Sequence, residues 1–211
     1  MRQIGFLLAA GALVASPALA ERKPQLEQDI ALQRGSLAAW TGCIASEKAQ
    51  DVHRVLVQDF TSESYRLGIK ALSETRVSKE CFEAMPREYR SIRLGGLPFA
   101  GGLAENMLKA DREPLLKRLS MAALKPAPKA HSRTDEIAMC MARGAPREVA
   151  ALFDTTFETD SERAALAQLA PVAEICAGGP GKFEASALGL RSMLATATYR
   201  LLDAQKVEND A

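Results

Sequence analysis

The sequence predicts an all-α protein: two similar helical units, each stapled by a disulfide, behind a cleavable signal peptide. Three observations predict it. Aromatic residues make up only 5% of the chain while alanine and leucine abound, a composition that favours packed helices over a β-sandwich. Apolar residues recur at helical spacing, with no convincing alternation of period two. Finally, the stretch from Cys43 to Cys81 is a worn counterpart of the stretch from Cys140 to Cys176, the mark of an internal duplication.

The chain begins MRQIGFLLAAGALVASPALA. Arg2 supplies a positive start, Ile4 to Val14 an apolar segment, and Ala18-Leu19-Ala20 a small-x-small cleavage site. The apolar segment is interrupted by Gly5 and Gly11 and falls short of the ~20 residues that span a bilayer. Residues 1–20 are therefore read as a signal peptide and the destination as periplasm or exterior. The chain from Glu21 is expected to make no stable membrane insertion.

Lysine and arginine total 27 against 26 acidic residues, and cleavage removes Arg2. The balanced remainder has no general attraction for nucleic acid.

Sliding the chain by 97 positions superposes Cys43 on Cys140, Val52 on Val149, Phe60 on Phe157, Ser64 on Ser161, Arg66 on Arg163 and Leu72 on Leu169. A gap of two brings Cys81 onto Cys176, and a further adjustment pairs Leu97, Leu103 and Ala104 with Leu188, Leu194 and Ala195. Residues 21–108 are read as the first unit, 109–136 as a connector, 137–204 as the second unit and 205–211 as a polar tail.

Val149, Leu152 and Phe153 share one helical face, as do Val52, Val55 and Leu56. Pro146 suits the first turn of its helix. Asp160 or Ser161 is expected to cap the next helix and Pro171 to break it. Gly178-Gly-Pro-Gly181 reads as a loop, and a long helix as running from about Ala185 to Ala204 with Leu190, Leu194 and Leu201 on one side. Gly101-Gly102 marks a helix packed closely on a neighbour. In the connector, Leu115, Leu116 and Leu119 form a short docking helix, and Lys125–Ser132 an extended linker. Seven basic residues over 109–133, against Asp111 and Glu113, read as a solvated connector.

Four cysteines in an exported chain are expected to be oxidised. They allow three pairings, and the duplication favours Cys43–Cys81 and Cys140–Cys176, because one ancestral bridge would be copied with its unit. Each closes a loop worth about 4 kcal/mol by chain entropy. No Cys-x-x-Cys or Cys/His cluster supports a metal site or redox centre. Met139-Cys140-Met141 offers soft ligands for a cuprous ion, a third option, but consecutive helical residues diverge, so the three sulfurs would converge on one ion only if the helix unwound.

His53 and His131 are the two histidines, and both read as solvent-exposed without a catalytic partner. Gly178-Gly-Pro-Gly-Lys182 departs from the phosphate-loop pattern. Trp40, three residues before Cys43, is expected to pack over the first bridge or line a ligand cleft. Arg66 and Arg163 are expected to pin helices, or, should both face a shared groove, to hold an anion. No catalytic, cofactor-binding or metal-ligating set is assigned.

A first cysteine, a Val/Ala/Leu helix, a Ser and Arg, a second cysteine and a closing helix (Gly101–Leu108 or Leu190–Tyr199) make a pattern. It resembles exported proteins of sphingomonad-type alphaproteobacteria that carry two Cys-x(~35)-Cys helical units. The likeness covers roughly residues 36–202, and the first copy departs from it at Pro98. It implies an exported helical fold and no particular activity.

The expected function is thus a non-catalytic, exported protein binding an envelope partner or small ligand at the surface between its units. The alternative is a cell-envelope enzyme that uses carboxylates, such as Glu105 and Asp160, in the inter-unit cleft.

Overall fold

A computed structural model describes residues 29–90 and 92–209, with side chains through 205. The expected signal peptide lies outside these residues. Every regular element among them is helical: α1 (Ile30–Glu47), α2 (Ala49–Leu56), α3 (Glu63–Ser73), α4 (Lys79–Ala84), α5 (Gly96–Ala110), α6 (Leu115–Ala123), α7 (Arg133–Gly144), α8 (Pro146–Asp154), α9 (Asp160–Ala177) and α10 (Ala187–Asn209). A single 3₁₀ turn, Arg87–Tyr89, separates α4 from α5.

Local chemistry sets the helix starts. Side chains of Asp29, Ser62, Ser78, Ser132 and Thr159 each accept a hydrogen bond from a backbone N–H in the first turn of α1, α3, α4, α7 and α9 respectively. Pro146 opens α8 at a position where its missing N–H costs nothing. The cap of α9 is Thr159, one residue ahead of the expected Asp160. Gly178 closes α9 in the left-handed region (φ 84°), and the N–H of Gly179 returns to the Glu174 carbonyl.

Two disulfides staple two helical units. Cys43–Cys81 ties α1 to α4 across 38 residues, and Cys140–Cys176 ties α7 to α9 across 36. Met139 and Met141 point into the core while Cys140 faces outward, as the divergence of neighbouring helical residues requires. Two such bridges belong to the chemistry of an oxidising, extracytoplasmic compartment. Among the described residues, no helix is long and apolar enough to cross a membrane.

The units differ where a break was expected. Helix α9 runs unbroken through Pro171, whereas the first unit divides the corresponding span into α3 and α4. Pro171 cannot donate to the Ala167 carbonyl. Both residues lie on the exposed face, so water can satisfy that oxygen. Leu169 and Ala173 are buried on the opposite face and hold the helix in register. The connector is more ordered than a solvated linker. Leu119 of α6 is fully buried, though Leu116 is exposed. Arg118 donates to the Leu108 carbonyl, and Arg200 of α10 to the Lys129 carbonyl. Helix α7 begins at Arg133, ahead of the boundary expected at 137, and α10 continues into the expected tail.

In the first unit α1 packs on α5; in the second α7 packs on α10; and the α5–α10 pair makes the largest contact in the fold. Its closeness depends on Gly101, whose hypothetical Cβ would stand 2.5 Å from Ser192 Cα. Each unit also lends a turn to the other. The α8–α9 turn reaches α1, where the Arg34 guanidinium lies 5.5 Å from the Phe157 ring centre. The α2–α3 turn reaches the segment leading into α7 and α10, where Phe60 meets His131 edge-on at 5.7 Å and Arg200 at 6.0 Å.

Two outcomes are expected from denaturant unfolding. Gly101→Ala should cost about 1–3 kcal/mol through overpacking, whereas Gly144→Ala, whose Cβ meets nothing within 4 Å, should shift stability by less than about 0.5 kcal/mol. Replacing both Cys140 and Cys176 by alanine should remove roughly 4 kcal/mol.

Candidate functional site

The exchanged turns leave one cleft on each side of the α5–α10 crossing. The first, of about 300 Å³, lies between α1, α5, the α8–α9 turn and the start of α10. Its wall is a ladder of charges. Arg34, almost wholly buried, grips both Glu162 oxygens at 2.6 and 2.8 Å and also reaches Glu158 at 2.7 Å. Glu158 adopts a left-handed backbone (φ 58°), and its N–H donates to Glu162 at 2.9 Å. Arg191 joins Glu162 at 2.8 Å to both oxygens of Glu105 at 2.7 and 2.9 Å. Its remaining bonds go to the hydroxyl and carbonyl of Thr155. Lys109 completes the ladder on Glu105 at 2.7 Å.

Three cations thus face three carboxylates. Burial alone would raise both Glu105 and Glu162, but the arginine hydrogen bonds and charges outweigh it and hold both carboxyls below their usual value of 4.5. Bidentate arginine geometry and near-complete satisfaction of the lone pairs make the buried charges tolerable.

The second cleft is larger, about 470 Å³, and mainly apolar. Leu56, Phe60 and Ile69 of the first unit face Met193 of α10, with Leu97 at the start of α5. Polar groups also line it: Tyr65 and Arg66 from α3, Thr134 and Asp135 from α7, Thr196 and Arg200 from α10. Asp135 and Arg200 are both buried and pair at 2.7 Å. Burial and, against it, the nearby Arg200 charge leave the Tyr65 hydroxyl pushed up to about 12, so it is a neutral phenol at neutral pH. Behind Phe60, Asp59 lies 3.2 Å from His131 Nδ1.

The residues singled out in the sequence do not all gather here. Arg66 lines the second cleft. Arg163 does not: it is exposed on α9 and pairs with Asp160 of the same helix, so the two matched arginines share no groove. Trp40 lines neither cleft. Its indole N–H donates to the Tyr89 carbonyl at 2.8 Å, and its ring meets Phe82, next to Cys81, edge-on, which agrees with packing near the first bridge. The histidines are not merely solvated. His53 Nδ1 lies 2.8 Å from the Tyr199 hydroxyl, and His131 is the α7-side partner of the Phe60 turn. Sequence reasoning missed Arg34, Glu162 and Arg191, whose partners lie far apart in the chain. Glu162 carries the local signature of an ordinary first-turn acid.

Among the described residues, no group of three or more His, Cys, Asp or Glu is placed to hold a metal ion. No protein-family model, curated protein or solved structure matches the chain.

Glu162→Gln should cost about 1.5–3 kcal/mol in unfolding experiments, because a neutral amide weakens the charge-assisted bonds from Arg34 and Arg191 and leaves each with one carboxylate partner, Glu158 and Glu105. The acid dependence has a definite sign. Both carboxyls titrate lower in the folded chain than in the unfolded one, so their contribution is complete above about pH 4.5 and fades as pH falls through the folded values. Wild-type stability should therefore drop on acidification below that pH, and Glu162→Gln should flatten the drop.

Proposed function

We propose that this chain is an internally duplicated, non-catalytic protein of the periplasm or exterior that binds a small, largely apolar ligand in the second cleft. The observation that carries the reading is the cleft itself: a mainly apolar space of about 470 Å³ between the units, with a few polar groups in its lining. Small-molecule sites typically have this size and this mixture. Export rests on the expected signal peptide and on the two bridges, and agrees with the resemblance to exported two-unit helical proteins.

The duplication draws support from contact pairs that exchange under the sequence alignment. The contact of Arg34 with Phe157 becomes, on sliding by 97, that of His131 with Phe60. Gly101 aligns with Ser192 in the closing helices, and these two meet at the crossing. A residue touching its own counterpart is what an axis of two-fold symmetry produces.

The rival reading, an envelope enzyme using carboxylates in the inter-unit cleft, draws less support. Glu105 is held ionised by Arg191 and Lys109, which disfavours it as a proton donor at neutral pH. Asp160 lies on the surface beside Arg163.

A neutral, environment-sensitive apolar dye tests the reading. Its fluorescence should rise with the wild-type protein, 1-decanol should displace it, and Met193→Trp, which fills the cleft, should abolish the signal while the helical circular dichroism persists. Absence of dye binding to folded protein with both bridges intact would defeat the proposal, as would an unchanged signal in Met193→Trp.

A further inference from the structure

The second cleft also carries information about the charge of its occupant. Three ionisable side chains of fixed charge line it: Arg66, Asp135 and Arg200. Two of them cancel. Arg200 Nη1 donates to Asp135 at 2.7 Å, its Nη2 donates to the Lys129 carbonyl at 2.7 Å, and the His131 backbone N–H also donates to Asp135 at 2.8 Å. Both side chains are buried and committed to one another.

Arg66 is different. It is exposed at the mouth of the cleft and makes no ion pair or side-chain hydrogen bond among the described residues. Its sequence counterpart Arg163 is paired with Asp160 on its own helix. The position preceding Arg66 by three, equivalent to Asp160, is Glu63, yet no such pair forms there. The lining therefore keeps one uncancelled positive charge, at the end of an apolar trough floored by Leu56, Ile69 and Met193. Tyr65, a neutral phenol beside it, adds no opposing charge.

We propose that the ligand of this cleft is a monoanionic amphiphile, a carboxylate on a hydrocarbon or aromatic body, with its chain against Leu56, Ile69 and Met193 and its head on the Arg66 guanidinium. The inference rests on the ligand-binding reading above and adds the head-group chemistry. A planar guanidinium matches a carboxylate in a two-point hydrogen bond, which an ammonium on lysine does less well. The apolar body supplies most of the affinity by leaving water. The head supplies selection, since an amine at the same place meets a like charge and an alcohol forgoes the charge-assisted bond.

Displacement of the neutral dye by decanoate, 1-decanol and decylamine at pH 7 separates these contributions. Decanoate should bind about tenfold more tightly than decanol, and decylamine should bind more weakly than either. Arg66→Ala should erase the preference of decanoate over decanol while leaving decanol affinity within about twofold, and Arg66→Lys should retain part of it. Arg163→Ala, on the matched arginine outside the cleft, should change nothing. Equal affinity for decanoate and decanol would overturn the proposal and leave the apolar-ligand reading standing. So would a preference that survives in Arg66→Ala. Failure of both dye and decanol to bind the folded protein would overturn the underlying reading, and this one with it.

Discussion

The crossing of α5 and α10 organises the molecule. Each is the closing helix of its unit, each packs on the opening helix of that unit, and the two meet where Gly101 lets the Ser192 backbone approach. A side chain at position 101 would push the helices apart, because packed interiors respond to atoms added at van der Waals contact by displacement. Both clefts flank this crossing, so its separation fixes their width. Leu103, Ala104, Leu194 and Ala195 are all fully buried along it. The small alanines keep the axes near, and the leucines fill the space on either side. The disulfides act further out, tethering the peripheral helices α4 and α9 to the opening helices. They limit how far each unit can open in the unfolded chain, but they do not set the distance between the units.

On the duplicated reading the two clefts are counterparts, and their linings differ. Phe157 in the first corresponds to Phe60 in the second, Leu188 to Leu97, Ala38 to Asp135, Gly102 to Met193, Glu105 to Thr196 and Lys109 to Arg200. The aromatic on the exchanged turn and the leucine at the start of the closing helix are shared. The remainder has diverged in opposite directions. In the first cleft Glu105 and Lys109 join a ladder with Arg191, Glu162 and Arg34, and the wall becomes ionic. In the second, threonine replaces the glutamate, methionine covers the space a glycine left, and the one buried cation is neutralised by Asp135. A buried ionic ladder is weak evidence of net stability, since desolvation offsets most of the attraction. Its geometry nonetheless demands one arrangement of α1, α5, α9 and α10, because a shifted register would strand charges away from water. The first cleft thereby fixes how the units meet, and the second is free to present an apolar lining.

Much of the architecture was legible in the sequence because it follows from short-range rules. The apolar faces of Val52-Val55-Leu56 and Val149-Leu152-Phe153 appear as helical periodicity, and both sets are buried. The cysteine pairing followed from the matched spacing. Pro171 misled because its effect depends on what lies on its own face. A proline whose orphaned carbonyl reaches water, on a helix anchored by Leu169, Ala173 and a disulfide, bends the local rule without ending the helix. The connector misled for a related reason: the basic residues of 109–133 suggested solvation, yet Arg118 is spent on a carbonyl and a carboxylate of the α5 terminus. The charge ladder was invisible. Arg34, Glu162 and Arg191 belong to three different helices, and nothing within a few residues of any of them signals its partners. Only the exchange of turns, itself a consequence of how two units pair, brings them together.

Topology and side chains make separate contributions to the apolar cleft. Both clefts arise from one construction, a turn of one unit laid over the opening and closing helices of the other. Were the lining dictated by that construction, both would be alike. They are not: one leaves about 300 Å³ walled by interlocked charges, the other about 470 Å³ with an apolar floor. The backbone is therefore compatible with walling this space by long polar side chains, and the second cleft owes its apolar lining and larger volume to its own residues. Thr196 and Ala100, the counterparts of Glu105 and Arg191, are too short to form such a bridge, and Arg200 is drawn aside by Asp135. An apolar surface left accessible in this way loses the free energy that its burial would supply, roughly 25 cal/mol for each Å². An occupant with an apolar body would recover that loss on entering, and the uncancelled charge of Arg66 in the lining is a feature that such a body alone would leave unused.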